Sequence, residues 1–165
     1  SGSCGENLTW SLTSDGVLTL DGTGSMATYY GEANIPWYAN RALITTVNVG
    51  AGVTKLTTNA FCGCTNLETV NFAENSQLQM IGGSAFKSCT SLKSIILPEG
   101  LTTISGNAFK YCRGLRYVSL PDSTRYIDEL AFTGLSGITF SVAKDSYAKN
   151  WVAAHGFAYV ERENG

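Results

Sequence analysis

Five cysteines, one histidine and one adjacent pair of carboxylates are the residues of this 165-residue chain whose types could do chemistry. Cys64, Cys89 and Cys112 each stand three residues after a phenylalanine, so they are expected to share one repeated position and to stack as buried free thiols that fill space. Strands stacked about 4.8 Å apart bring such cysteines within Cα range of a disulfide, but their parallel side-chain vectors align neighbouring sulfurs poorly. Cys62 stands one residue after Phe61, where the later copies carry Lys87, Lys110 and Thr133, and is expected to be exposed. Two states stay open for it: a disulfide to Cys4, or a free thiol. Cys62-Gly63-Cys64 lacks the second ligand pair of a zinc site, so no metal is expected.

His155 directly precedes Gly156, a position that reads as a helix end, where a cation interacts favourably with the last carbonyls. Every mechanism that needs a histidine has this one donor. Asp128-Glu129 reads as a solvated turn rather than a glycosidase pair. Gly22-Thr23-Gly24 lacks the third glycine of a dinucleotide loop, and neither a Gly-x-Ser-x-Gly elbow nor a phosphate-binding Gly-x-x-x-x-Gly-Lys-Ser/Thr occurs. The chain is therefore expected not to be an enzyme, with no catalytic, cofactor-binding or metal residues and no cofactor.

Composition narrows the partners. A hydrophobic share of 44% excludes disorder, and only 15% of residues are charged. Eleven basic against 13 acidic residues give a net charge of -2, which argues against a broad basic surface and against nucleic acid as a partner. No apolar run approaches the roughly 18 to 20 residues that span a bilayer, so no membrane insertion is expected within this chain. The N-terminus has no basic-then-apolar leader, which leaves two readings open: a cytosolic chain, or a mature chain whose signal peptide has been removed, which the small polar start Ser1-Gly2-Ser3 fits.

The elements that must position these residues follow from an internal repeat. Ala-Phe recurs at Ala60-Phe61, Ala85-Phe86, Ala108-Phe109 and Ala131-Phe132, with the phenylalanines 25, 23 and 23 residues apart. Five residues before each Phe stand Leu56, Ile81, Ile104 and Ile127, and six after it stand Leu67, Leu92, Leu115 and Ile138. Val70/Phe72, Ile95/Leu97 and Val118/Leu120 follow at the spacing of one strand face, and Ile44, Val47 and Val49 form a degenerate earlier copy. The two extra residues of the first period fall in the polar stretch 73–77, which reads as a loop. A period of about 23 residues with aliphatic residues at fixed offsets lies within the leucine-rich-repeat range. The predicted fold is a mostly β (α+β) repeat solenoid. Each coil would run through Leu-x-x-Val-x-Leu, turn at Pro98 or Pro121, return through Leu-x-x-Ile and cross the Ala-Phe turn. One coil cannot bury its own apolar face, so the ends need caps.

Both caps are legible. Leu8, Trp10 and Leu12 alternate with polar residues, Asp15-Gly16 supplies a turn, and Leu18 and Leu20 alternate again, which predicts a β-hairpin. Tyr29, Tyr30, Trp37 and Tyr38 are available to cover the first coil. At the other end Asp145 or Ser146 is the expected helix N-cap, Tyr147, Trp151 and Ala154 the expected shared face, Gly156 the stop, and Phe157 to Val160 a last strand. The expected organisation is a single domain, 1–165. It divides into an N-terminal β cap at 1–43, about four coils plus the degenerate first strand at 44–142, and a C-terminal helix-strand cap at 143–165.

At the level of its residues the repeat resembles the BspA-type leucine-rich-repeat family. Ile81-Gly82-Gly83-Ser84-Ala85-Phe86-Lys87-Ser88-Cys89 and Ile104-Ser105-Gly106-Asn107-Ala108-Phe109-Lys110-Tyr111-Cys112 carry its Ala-Phe followed by Cys three residues on. The resemblance covers about 45–142 and extends to both flanks. The last copy departs from it, with Leu135 in place of Cys, as suits a terminal coil. The resemblance implies a secreted or cell-surface module of bacterial type that mediates adhesion or protein-protein interaction.

The four repeated phenylalanines could be mistaken for a sugar-stacking platform, but identical spacing in every coil predicts a core spine. Ligand discrimination belongs where the repeats differ. With Val47/Val49, Val70/Phe72, Ile95/Leu97 and Val118/Leu120 facing in, the outward row of the sheet is Thr46, Asn48, Thr69, Asn71, Ser94, Ile96, Tyr117 and Ser119. This uncharged row, with Ile96 and Tyr117 as its large anchors, is the candidate ligand-binding face. A protein ligand, host or cell-surface, is the expected partner of a monomeric chain. The alternatives are a structural spacer within a larger surface protein, and a weak glycan-binding module that uses Tyr117 and the N-terminal aromatics.

Overall fold

A computed structural model describes residues 1–163; residues 164 and 165, the end of the expected 143–165 cap, lie outside the described residues. The chain forms β1 (Gly2–Ser3), β2 (Asn7–Leu12), β3 (Val17–Ser25), β4 (Thr46–Val49), β5 (Val53–Leu56), β6 (Thr69–Phe72) and β7 (Met80–Ile81). There follow β8 (Ser94–Ile96), β9 (Thr103–Ile104), β10 (Tyr117–Ser119), β11 (Tyr126–Ile127), β12 (Thr139–Ala143), one helix α1 (Tyr147–Ala154) and β13 (Ala158–Arg162). The result is a solenoid of about 5 turns.

Each coil contributes one strand to each of two parallel ladders. The second ladder, β5-β7-β9-β11, is continuous. The first consists of β4 with β6, then β8-β10-β12 with β13 at its end. Val47 pairs with Val70, and Ile95 with Val118 and then Phe140, so the inward phase read from the repeats is kept from coil to coil. The turn between ladders is held by a third set of backbone bonds between coils, including Phe61 N–H to the Ala85 carbonyl and Phe86 N–H to the Ala108 carbonyl.

The core is an aromatic stack. Phe61, Phe86, Phe109 and Phe132 are buried, with successive ring centroids 5.4, 5.3 and 5.0 Å apart. Trp37 extends the stack from the N-terminal side, 5.6 Å from Phe61, and its indole Nε1 donates to the Ala60 carbonyl at 2.8 Å. Trp10 meets Trp37 edge-on, and at the far end Phe140, Trp151 and Phe157 close over Phe132. Offset stacking adds to the burial of large apolar rings, so each coil seats the next. Of the four aromatics expected to cover the first coil, Trp37 is buried and Tyr29 and Tyr38 pack partly against the core. Tyr30 does not: it is 86% exposed, carried outward where the chain turns at Gly31.

The hairpin cap does more than its pattern announces. β3 pairs antiparallel with β2 and also parallel with β4 along Val17–Leu20 and with β5 at Gly24–Ser25, so one strand starts both ladders. Gly22 and Gly24, at φ 108° and 98°, sit at the crossing from one ladder to the other. A Cβ on Gly22 would stand 2.0 Å from the Asn7 carbonyl oxygen, which is why a side chain is excluded there.

At the C-terminus Ser146 is the N-cap of α1, its hydroxyl accepting from the Lys149 N–H, and Gly156 follows the helix at φ 77°. The buried face of α1 is Ala148, Trp151 and Val152, not Tyr147, Trp151 and Ala154. Tyr147 instead lies across the coil end, its hydroxyl accepting from the Ile127 N–H at 2.8 Å. The last strand, β13, pairs parallel with β12 from Thr139↔Ala158 to Ala143↔Arg162.

Candidate ligand-binding surface

Alternation on the first ladder turns the eight predicted residues outward. Thr69, Asn71, Ser94 and Ile96 are exposed, and Thr46, Asn48, Tyr117 and Ser119 are half-buried. Register brings Thr46 beside Thr69, Asn48 beside Asn71, and Ser94 beside Tyr117. The Asn71 amide donates to the Asn48 side-chain oxygen at 2.9 Å, which fixes both amides in a short ladder.

Two features of this face do not show in the repeat pattern. The first is a break. Among the described residues no backbone hydrogen bond joins β6 to β8, although β4–β6 and β8–β10 on either side are fully paired. The break follows the coil that carries the two extra residues, whose loop at 73–77 passes Asn75 through φ 58°. The face is open there as a concavity of about 490 Å³ lined by Asn71, Phe72, Asn75, Ile96, Pro98 and Glu99. Phe72, in the inward phase, is only half-buried as a result, and Ile96 is 60% exposed. The second feature closes the other end. Arg162 of β13 donates to Ser141 Oγ at 2.8 Å, Ser119 Oγ at 3.3 Å and the Leu120 carbonyl at 2.6 Å, and pairs with Asp122 at 3.0 Å. Ser119 is thereby engaged within the fold, while Ile96 and Asn71 remain open.

The cysteines are all free. The Cys4–Cys62 bridge is not made: Cys4 is buried under the hairpin cap, and Cys62 lies beside Glu32, Arg41 and Lys87. Cys62 is half-buried rather than exposed, because the N-terminal cap folds over the first turn. Cys64, Cys89 and Cys112 form the expected buried column, with one addition. The Cys89 thiol donates to the Phe61 carbonyl at 3.2 Å and the Cys112 thiol to the Phe86 carbonyl at 2.9 Å, so these thiols tie each coil to the one before it. Burial pushes the Cys4 thiol up to about 11 and the Cys64 thiol to about 12. Burial first, then the hydrogen bond and charge of Glu32, pushes Cys62 to about 12, and Lys87 and Arg41 only partly oppose this. Thiols held this far from thiolate are poor nucleophiles.

His155 caps α1, stacked 3.8 Å from Trp151. Its Nδ1 lies 2.7 Å from the Trp151 carbonyl and its Nε2 2.9 Å from the Glu129 carboxylate. Both partners are acceptors, so only the doubly protonated ring satisfies both. Its burial works against that charge but is outweighed by these two hydrogen bonds and the charge of Glu129, and the ring's pKa is raised. The site is a structural ion pair that joins the last turn to the C-terminal cap. Asp128 accepts from the Leu130 N–H as a turn cap while Glu129 holds His155, so the two carboxylates serve separate structural bonds.

Comparison with known proteins follows the same outline. The model described as BspA type leucine rich repeat region matches residues 36–149 in 6 copies. A solved leucine-rich repeat protein from Eubacterium ventriosum is 28% identical over 83% of this chain and 42% of its own, with a TM-score of 0.63. One from Bacteroides ovatus shares the fold at 21% identity over 91% of this chain and 42% of its own, with a TM-score of 0.64. The chain thus spans about two-fifths of the length of these two structures. No curated protein matches it.

Proposed function

The chain belongs to the BspA-type leucine-rich-repeat family, and from that premise we propose that it is an interaction module of a secreted or cell-surface protein, binding a protein ligand on its first sheet face. The observation that carries this reading is the open concavity beside Ile96. An aliphatic side chain 60% exposed on a regular ladder, next to a half-buried phenylalanine, offers an apolar anchor rimmed by amides and hydroxyls. Protein interfaces concentrate their energy in such desolvated pockets with polar surrounds. Asn71, Asn48, Thr46, Thr69 and Ser94 would supply the rim and Tyr117 a second anchor, with Ser119 marking the edge clasped by Arg162.

The family and fold are generally non-catalytic. The chemistry of the side chains agrees: burial holds the Cys4, Cys62, Cys64 and Cys89 thiols protonated, and the one histidine is spent on a helix end. A spacer role within a larger surface protein is the second reading, favoured by the chain covering only 42% of the two solved relatives.

The test is binding of the labelled chain to a panel of extracellular-matrix and serum proteins, with a Tyr117→Ala, Ile96→Ala double variant in parallel. A specific signal weakened at least tenfold in the variant is the expected result. A signal unchanged in the variant would remove the site from this face, and silence across the panel would favour the spacer.

A further inference from the structure

The basic residues of the chain are not spread evenly over its surface. Arg41, Lys87, Lys110, Arg113 and Arg116 all stand on the side formed by the Ala-Phe turns. The equivalent turn segments 57–67, 82–92 and 105–115 contain no Asp or Glu; the acidic groups nearest this side are Glu32 beside Arg41, Glu68 just past the first segment, and Asp128 and Glu129, which open the fourth turn. Acidic residues recur at a different corner, where Glu74, Glu99 and Asp122 occupy one repeat position just past the strands of the first ladder. A net charge of -2 therefore conceals a concentration of basic residues along the first three turns and of acidic ones just past the first ladder.

The basic residues form a line. Lys87 and Lys110 hold the same position in successive coils. Arg41 packs beside Gly63 of the turn before them, and Arg116 reaches Gly137 of the coil after. Three coil steps of about 4.8 Å make a stripe about 14 Å long. Among the described residues none of the five takes part in a salt bridge. The Arg41 and Arg116 guanidiniums donate only to main-chain carbonyls nearby.

In the middle of the stripe stands Tyr111, at φ 62° and 37% exposed. The equivalent residues in the other turns are Gly63, Ser88 and Gly134, also at positive φ, so the fold demands a left-handed residue here and a bulky aromatic is the costliest choice. Its ring carries Lys110 Nζ at 4.8 Å and the Arg113 guanidinium at 5.4 Å. A strained residue that persists with an exposed ring between two unpaired cations points to a ligand. Concavities flank it. One of about 520 Å³ is lined by Glu32, Tyr38, Arg41, Cys62 and Lys87, and one of about 300 Å³ by Arg113, Arg116, Leu135 and Ser136.

We propose that the Ala-Phe turn side is a second binding surface, independent of the first sheet face, for a linear anionic polysaccharide bearing sulfate or carboxylate groups. Charge complementarity selects a polyanion. One aromatic ring flanked by cations suits the C–H face of a single sugar with charged groups on either side, whereas single-stranded nucleic acid needs a succession of stacking rings. A stiff sugar chain also loses less freedom on a straight stripe than a flexible acidic peptide does.

The test uses the whole chain against immobilised heparin, polyglutamate and an oligothymidylate at 50 and 200 mM salt. Heparin is expected to bind tightest by at least tenfold. Neutralising four charges predicts a loss on the order of 50-fold across that salt range. Lys87→Gln with Lys110→Gln should weaken heparin at least tenfold. Tyr111→Gly, which relieves the backbone while deleting the ring, should weaken it severalfold with the fold intact by circular dichroism. The control Glu99→Gln, on the acidic edge, should leave it unchanged. Polyglutamate or oligothymidylate binding as tightly as heparin, heparin binding unaltered in both variants, or no heparin binding at 50 mM salt would each overturn the proposal.

Discussion

Replacing Phe109 by alanine tests whether the aromatic stack, rather than the backbone ladders, holds the coils together. The ring is fully buried and lies 5.3 Å from Phe86 and 5.0 Å from Phe132, nearly parallel to both. Truncating a buried phenylalanine costs about 3–5 kcal/mol in transfer and cavity energy. The lost aromatic pairs push the value toward the upper end, since each is worth about 0.5–1.5 kcal/mol beyond its area. With a urea m-value of about 2 kcal/mol/M, a loss of about 4 kcal/mol lowers the unfolding midpoint by about 2 M. Equilibrium urea unfolding followed by tryptophan fluorescence measures this, with Ile96→Ala as an exposed control expected to move the midpoint by less than about 0.3 M. Coils contact only their neighbours, so the chain on either side should keep its own contacts, and a reduced m-value would show the two halves melting separately. A midpoint shift below 0.5 M at unchanged m, converted by the same slope, would refute the stack as the element that couples the coils.

The remaining predictions concern the single histidine and the thiols. His155 has a raised pKa in the fold, so its contribution is fully present below its unfolded value of about 6.5 and is lost as pH rises through the folded value. Glu129→Gln should therefore lower the melting temperature in mildly acidic buffer and leave it unchanged in alkaline buffer; a His155 ring titrating at or below the unfolded value by NMR would sink this. Ellman's reagent should react slowly with the native chain and reach Cys62 first, because the other four cysteines are buried. After unfolding without reductant it should count five thiols, and a count of three would restore the Cys4–Cys62 bridge.

The repeat made most of the fold legible, because one inward phase, set by Val47, Val70, Ile95 and Val118, recurs wherever a coil must bury the same face. What escaped were features that depend on pairing between elements far apart in sequence. β3 starts both ladders, yet nothing in Val17 to Ser25 beyond Gly22 and Gly24 distinguishes it from an ordinary hairpin strand. The buried face of α1 turned on a neighbour: Val152 and Ala148 flank Trp151 toward β12 and β13, while Tyr147 found a bond at Ile127 instead. In the sequence the cysteine column reads as filler, because its thiol bonds reach carbonyls 26 and 28 residues away. Within the candidate face the outward row could be read from alternation alone. The break between β6 and β8 could not, since both strands carry the same apolar spacing, and only the extra residues at 73–77 hinted at it.

A solenoid converts sequence position into place, so each repeat offset becomes a column on one side of the molecule. Columns whose members agree, such as the four phenylalanines, answer to packing, and any ligand would see them only as the rigid support beneath its site. Specificity then falls to the offsets where the copies disagree. Ile96 takes the place held by Asn71 in the coil before, beside a ladder that has come apart. Tyr111 takes the place of glycine and serine, at a cost to the backbone. The position after each phenylalanine runs Cys62, Lys87, Lys110 and Thr133, and its charge is invisible in a composition that sums to nearly zero. These departures lie on two different sides of the coil, the first sheet face and the turn edge. If both proposed surfaces bind, one rigid stack would hold two partners at once without either contacting the other.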